Sequence, residues 1–437
     1  MNPTTTSRAA AALLLTISLA GCGGGSGGGS RDADTAPAGT TDAAYLYDYM
    51  KDWYLWYRQM PTVDPAAYAS DQALLDAVRV SQDWYSYIDS AQVYHAFYDE
   101  GEAVGYGFGY SVSGNAMWIR YVQPASSAGI GDLRRGDQIM AIGGQPIAAL
   151  QAGAGIDAAL GPVQEGLSTT LTVQRGASTF ELPLTKTRYA VRSVLDHRVI
   201  DAPSGRVGYL NFMSFTAPAQ SEWQAALKDL LDQGVSDLVV DLRENGGGRL
   251  AVAGALASSL APADSAGQIA IQLQFNDRHR GSDQDFRFAY DASAGKIRRL
   301  VWITSPRTCS ASESLVVALR PLRSAWSVGE ASCGKPVGFT PPEHNGKVYN
   351  VVSFRLSNGA GLSDYFSGLS PDCAAAEDWS KPIGDPTEPK LAAALRWLDD
   401  GGCPAPTTGA LDAQSRARAV TAAPGGGYGI ERLTGLR

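Results

Sequence analysis

The chain has 437 residues, 44% of them hydrophobic and 18% charged, a composition that excludes an intrinsically disordered protein. The net charge is −8 and no stripe of Lys and Arg occurs, which argues against nucleic acid as a partner. The length exceeds that of one ordinary domain and implies about two to four.

Residues 1–22 read as a targeting segment. Arg8 supplies a short positive region, and Ala9 to Ala20 is an apolar run of about 12 residues, too short for a spanning helix. The run ends in Leu19-Ala20-Gly21-Cys22, which resembles a bacterial lipoprotein signal in which Cys22 becomes the lipidated first residue. An ordinary signal peptide with an incidental cysteine is the alternative. Lipidation would tether the chain to a membrane without spanning it. Gly23, where an aspartate would direct retention, favours the outer membrane over the inner. Four cysteines then remain: Cys309, Cys333, Cys373 and Cys403. In an oxidising compartment they imply two disulfides in one of three pairings, with free buried thiols as the alternative. No Cys-x-x-Cys or His-x-x-x-His spacing occurs, so no metal site is expected, and no motif calls for a cofactor.

Residues 23–41, rich in Gly, Ser, Thr and Ala, read as a flexible tether. In residues 42–100, Leu46, Met50, Trp53 and Tyr57 recur at helical spacing, as do Ala73, Leu74, Ala77 and Val78. They predict a small N-terminal helical domain whose aromatic stripe is core. Residues 101–186 alternate strand-like runs with glycine turns: Gly105 to Tyr110, Met117 to Val122, Gln138 to Ile142 and Thr169 to Val173, with a turn at Gly143-Gly144. Gly107-Phe108-Gly109-Tyr110, followed by Gly136-Asp137-Gln-Ile-Met-Ala-Ile142, resembles a PDZ domain. By that resemblance Gly107, Phe108, Gly109 and Tyr110 form the loop that binds a peptide's C-terminal carboxylate, and the peptide adds as a strand to a sheet edge. Glycine at 107 and 109 would let the backbone approach the ligand.

From residue 187 to 404 the pattern is α/β. Strands at Gly208 to Phe212, Leu238 to Leu242 and Leu300 to Thr304 alternate with helices around Trp223 to Leu231, Leu250 to Leu260 and Ser312 to Leu319, which implies parallel pairing through crossovers. Residues 405–437 read as a loosely ordered tail.

Three segments carry chemistry. Asp241-Leu-Arg-Glu-Asn-Gly-Gly-Gly248 lies between a strand and a helix, where a tight turn alone would require glycine. Ser310-Ala-Ser-Glu313 opens a helix, and taken alone it is a capping box; a serine there also sees backbone N–H groups that could stabilise an oxyanion. Lys335 follows Cys333 and Gly334 and precedes Pro336, Val337 and Phe339. To act as a base its pKa must fall from ~10.4 to about 7, a cost of roughly 4.6 kcal/mol that burial can supply.

Together these segments resemble the carboxyl-terminal processing (tail-specific) peptidases, in which a PDZ domain precedes a ClpP/crotonase-like catalytic domain. Residues 241–248 match that family's Asp-Leu-Arg-x-Asn-x-Gly-Gly, Ser310 heads its Ser-Ala-Ser-Glu, and Lys335 follows at the family's separation of 25 residues. Asp83-Trp-Tyr-Ser-Tyr-Ile88 resembles its N-terminal region. The resemblance implies an α/β multidomain fold and an exported, periplasm-facing serine endopeptidase. Ser310 would be the nucleophile, Lys335 its general base, and the amides of Gly247 and Ala311 the oxyanion hole. Its substrates would be proteins or peptides with accessible C-termini. In many members a glutamine four residues after the lysine orients it; here that position is Phe339. With Cys309 beside the nucleophile and Cys333 beside the base, Cys309–Cys333 and Cys373–Cys403 are the pairs expected. The other function class is a non-catalytic envelope lipoprotein that binds peptides or ligands on the same fold.

Overall fold

The computed structural model describes residues 41–153 and 155–403. Cys22, the targeting segment, the tail 405–437 and the tether (except Thr41) lie outside the described residues. Among those described, no helix is long and apolar enough to cross a membrane.

The side-chain oxygens of Thr41 and Ser70 cap helices Asp42–Trp53 and Asp71–Val78, each accepting from an N–H three residues on. Leu46, Met50, Leu74 and Val78 are fully buried. The surface that buries them is remote in sequence: Val337, Tyr349, Val351 and Val352 complete the same core. Strand Tyr87–Ser90 extends this join by pairing antiparallel with Lys347–Asn350, and Leu55 N–H donates to Val352 O at 2.8 Å. The expected helical domain of residues 42–100 therefore has no core of its own. One apolar face on two short helices needs a partner layer, and here the strands of residues 337–352 provide it.

The segment from Phe108 to Thr185 does have its own core, built on Phe108, Met117, Ile119, Ile139, Leu171 and Val173. Its antiparallel sheet runs in the order Phe108–Ser113, Ala116–Val122, Gln138–Ile142, Ser168–Arg175, Ser178–Thr185. Phe108–Ser113 is an edge strand. A two-stranded ribbon, Glu102–Gly105 against Thr187–Ala190, joins this unit to the rest of the chain.

The central sheet has six strands in the order Val194–Ala202, Gly205–Phe212, Asp237–Asp241, Arg299–Thr304, Ala325–Gly329, Cys373–Ala374. The first two form an antiparallel hairpin and all later neighbours are parallel. Leu238 and Val240 point into a core shared with helices Ala219–Asp232, Leu250–Leu260 and Ala311–Leu319; Val239 points the other way, to helix Pro389–Asp400. Burial on both faces explains the unbroken apolar runs of these strands. A four-stranded antiparallel sheet, including Val337–Phe339 and Val352–Ser357, packs beside them.

Because the N-terminal helices share a core with the strands of residues 337–352, Met50→Ala should cost about 2–5 kcal/mol. Calorimetry should show one transition moved down as a whole, not loss of a separate early one.

Candidate active site

The three chemistry-bearing loops leave the carboxyl ends of three adjacent parallel strands, Asp237–Asp241, Arg299–Thr304 and Ala325–Gly329, the position at which α/β sheets place their sites. The first loop is rooted by buried charge. Arg243 pairs with Asp241 and, at 2.8 Å, with Glu388, and Tyr209 Oη donates to Asp241 at 2.8 Å. Asn245 then ties this loop to the second. Its Nδ2 donates to Phe212 O, and its backbone carbonyl accepts from Cys309 N–H at 3.1 Å and Ser312 Oγ at 3.0 Å.

Gly247 has φ +105°. A Cβ there would lie 2.8 Å from Cys309 O and 2.9 Å from Ser310 Cβ, so only glycine fits against the serine turn. Its N–H is donated to Asn245 Oδ1 at 2.9 Å. Gly247 thus clears space for the serine turn, and its amide, the oxyanion donor expected from the family pattern, is engaged within the loop. Among the described residues, the N–H groups of Gly246, Gly248 and Ala311 have no acceptor.

Ser310 has φ +56° and ψ −114°, a conformation that costs a non-glycine residue of order 1–3 kcal/mol and that recurs at functional turns. It stands half-buried at the N-terminus of helix Ala311–Leu319, beside the Ala311 N–H. The third residue of that helix, Glu313, is fully buried, and its carboxylate serves both sides of the site. Oε2 accepts from the N–H of Ser310 at 2.9 Å and of Lys335 at 2.8 Å; Oε1 accepts from Gly334 N–H at 2.8 Å and Ser332 Oγ at 2.5 Å. Burial pushes the Glu313 carboxyl above its ordinary range, against the pull of these donors.

A second tie is covalent. Cys309 and Cys333 are disulfide-bonded with Cα atoms 5.2 Å apart, and Cys373 is bonded to Cys403. Cys309, Glu313 and Cys333 lie close together, but the sulfurs are bonded to each other and offer no thiolate to a metal.

Lys335 is 4% exposed. Burial pushes its amine down to about 7, while Asp83 and Glu313 pull the other way. Among the described residues no group hydrogen-bonds its Nζ, Ser310 Oγ included, and Nζ lies 3.9 Å from the centre of the Phe339 ring. Tyr85 supplies a second ring near the amine. Its hydroxyl donates to Gly334 O and its ring centre is 5.9 Å from Nζ. Asp83 holds that segment by accepting from the N–H groups of Tyr85 and Ser86. No histidine among the described residues contacts Ser310; His279 and His344 stack on Trp53 and Tyr45, and His95 lies between Asp99 and Glu343.

The loop Gly107–Tyr110 lies apart, at the start of the edge strand. Gly107 has φ +85°, and a Cβ there would strike Ser126, as one on Gly109 would strike the Tyr121 ring at 2.2 Å. Packing from behind thus demands both glycines, a different reason from ligand approach. Phe108 is in the core, and Tyr110 Oη donates to Asp157 at 2.5 Å.

The profile of peptidase family S41 matches residues 206–374, and that of the peptidase S41 N-terminal domain matches residues 43–87. Both matches point to the same family, peptidase family S41, one over the N-terminal helices and the other over the central sheet. Similar S41-type relatives include a carboxyl-terminal-processing protease of Synechocystis sp., 28% identical over 244 residues, which cover 55% of this chain and 51% of that protein. A carboxy-terminal-processing protease of Bartonella bacilliformis is 28% identical over 259 residues, covering 57% and 55%. The chain thus spans about half the length of the curated relatives it matches. Among solved structures, a Bacteroides fragilis protein assigned to the S41 proteases superposes with a TM-score of 0.66 at 26% identity, covering 81% of this chain and 97% of that one. The photosystem II D1 C-terminal processing protease superposes at 0.50 with 20% identity, covering 82% and 97%, a likeness of fold.

Asn245, Glu313 and Tyr85 were not singled out as functional from sequence. Glu313 was visible as a local cap, but its contacts 19 to 22 residues away are visible only in the fold. Glu313→Ala would strand three buried N–H groups and one hydroxyl. It should cost at least about 3 kcal/mol in urea denaturation even with the Cys309–Cys333 bond intact.

Proposed function

We propose that this chain is an exported serine endopeptidase in which Ser310 is the nucleophile and Lys335 the general base. The observation that carries this reading is a buried lysine, its amine near pH 7, on a loop fastened by Glu313 and a disulfide to a strained serine turn. The neutral amine takes the Ser310 proton as Oγ adds to the scissile carbonyl. The developing oxyanion is met by the Ala311 N–H and an N–H of the glycine loop, from Gly246 or Gly248. The ammonium of Lys335 then gives its proton to the departing amine, which leaves an acyl ester on Ser310. Lys335, neutral again, activates the water that hydrolyses it. Side chains separated in the resting enzyme commonly close to hydrogen-bonding distance only with substrate bound.

Ser310→Ala and Lys335→Ala should each abolish cleavage of an unfolded protein and, for Ser310→Ala, labelling by a fluorophosphonate. The wild-type rate should rise with pH through about 7, because only the neutral amine is a base. If the wild-type protein neither cleaves nor labels, the reading as a ligand-binding protein replaces this one. Burying Lys335 also weakens the fold. Its folded pKa lies below the unfolded value of about 10.4, so between about pH 7 and 10 the unfolded chain holds the extra proton and stability climbs with pH. Lys335→Met should remove that component and stabilise the protein at pH 7 by about 1–4 kcal/mol, measured by urea denaturation.

Substrates would be selected at the unit from Phe108 to Thr185, read as a PDZ domain. Its unpaired edge, Phe108–Ser113, supports addition of a peptide strand, with the terminal carboxylate at the Gly107–Tyr110 loop. Amidating a substrate's C-terminus should then raise KM about tenfold or more at unchanged kcat, as expected when one charge-assisted contact is removed. The Cys22 signal supports lipid anchoring, facing the periplasm, with the outer membrane favoured.

A further inference from the structure

The Lys335 side chain is buried, yet no oxygen among the described residues accepts from its amine. Its nearest partner is an aromatic face. Phe339 ends strand Val337–Phe339, and the pairing with Val352–Ser357 slips between Gly338 and Phe339. Such an irregularity re-aims a side chain. The ring packs edge-on to Tyr87 at 5.9 Å and joins the core built by Val337, Tyr349 and Val352. It is thereby held with Lys335 Nζ 3.9 Å from its centre. The carboxylates of Asp83 and Glu313 favour the charged amine electrostatically, and the Tyr85 ring centre lies 5.9 Å from Nζ.

We propose that Phe339 is the positioning residue of Lys335, holding the base through the face of its ring. This rests on the assignment of Lys335 as the base. A ring face attracts the ammonium, accepts an N–H of the neutral amine weakly, and cannot bind that amine's lone pair. It therefore orients the nitrogen in both protonation states and leaves the lone pair free for the Ser310 hydroxyl. An amide at this position would bind the ammonium by a hydrogen bond instead. Because the ring favours the charged form, replacing it with an aliphatic side chain of similar bulk should lower the lysine's pKa. Water exclusion would stay nearly constant.

The test uses the full chain with Phe339→Leu, which keeps the bulk and loses the ring face, and Phe339→Tyr, which keeps the face. The Lys335 titration is followed by NMR of 13C-lysine-labelled protein, with Lys335→Met assigning the signal, beside the pH profile of kcat/KM. Leu should move both the titration and the acid limb down by about 0.4–1.5 pH units and lower the plateau kcat about threefold to thirtyfold. Tyr should leave both near wild type. The proposal is overturned if Leu leaves the titration unmoved, or if Leu and Tyr shift it equally. If the wild-type protein neither cleaves nor labels, the peptidase reading falls, and the NMR titration still decides whether the ring holds the ammonium.

Discussion

The buried carboxylate of Glu313 is where the serine turn and the lysine loop meet. Both of its oxygens are used, one on the N–H groups of Ser310 and Lys335 and the other on Gly334 and Ser332. A buried carboxylate is tolerated only with its lone pairs filled. The chain around it must therefore hold four donors in fixed places, and that requirement sets the path of both loops. Cys309–Cys333 repeats the link in covalent form. Two ties around one serine make a strained φ of +56° sustainable, since strain persists only where the surroundings over-determine it.

Lys335 shows the complementary constraint. Its side chain is buried, and burying an amine opposes folding. The apolar wall comes from distant places: Tyr85 from the N-terminal segment and Phe339 from the antiparallel sheet. This explains why helices Asp42–Trp53 and Asp71–Val78 are merged with the catalytic region. A free helical domain would let Tyr85 move; one sharing a core with Val337 and Val352 fixes it beside Lys335.

Elements with strong periodicity were legible in the sequence. Leu250–Leu260 and Gln138–Ile142 occupy the residues expected, because a continuous apolar helix and a strand ended by Gly-Gly leave little ambiguity. Ser310, Lys335 and the glycine loop were legible as a set through motif and spacing. What was not legible depends on contacts between remote residues. The stripe Leu46 and Met50 announced burial but not the surface that would cover it. Gly247 announced a need for glycine, while the reason, a Cβ that would strike Ser310, and the use of its amide by Asn245 required coordinates. Phe339 stood out as a departure from the family pattern, yet a sequence cannot say whether a ring beside a lysine faces it.

Buried charge also joins the sheet unit to the glycine loop. Arg120, on strand Ala116–Val122, pairs with Glu244, one residue before Asn245, and Arg307 takes both oxygens of the same carboxylate at 3.0 and 3.1 Å. Arg135 pairs with Glu377 at 2.9 Å, and Arg307 reaches Glu377 as well. Burial opposes ionisation of Glu377, but Lys390, Arg307, Arg135 and Arg243 hold its carboxyl well below the usual range. Removing one member of such a network leaves an uncompensated buried charge. The unit carrying the edge strand is thus keyed, through one carboxylate, to the backbone that faces Ser310. An apolar interface of the same area could slide. Paired charges fix one register, and that register determines where Asn245 stands when it fastens the serine turn.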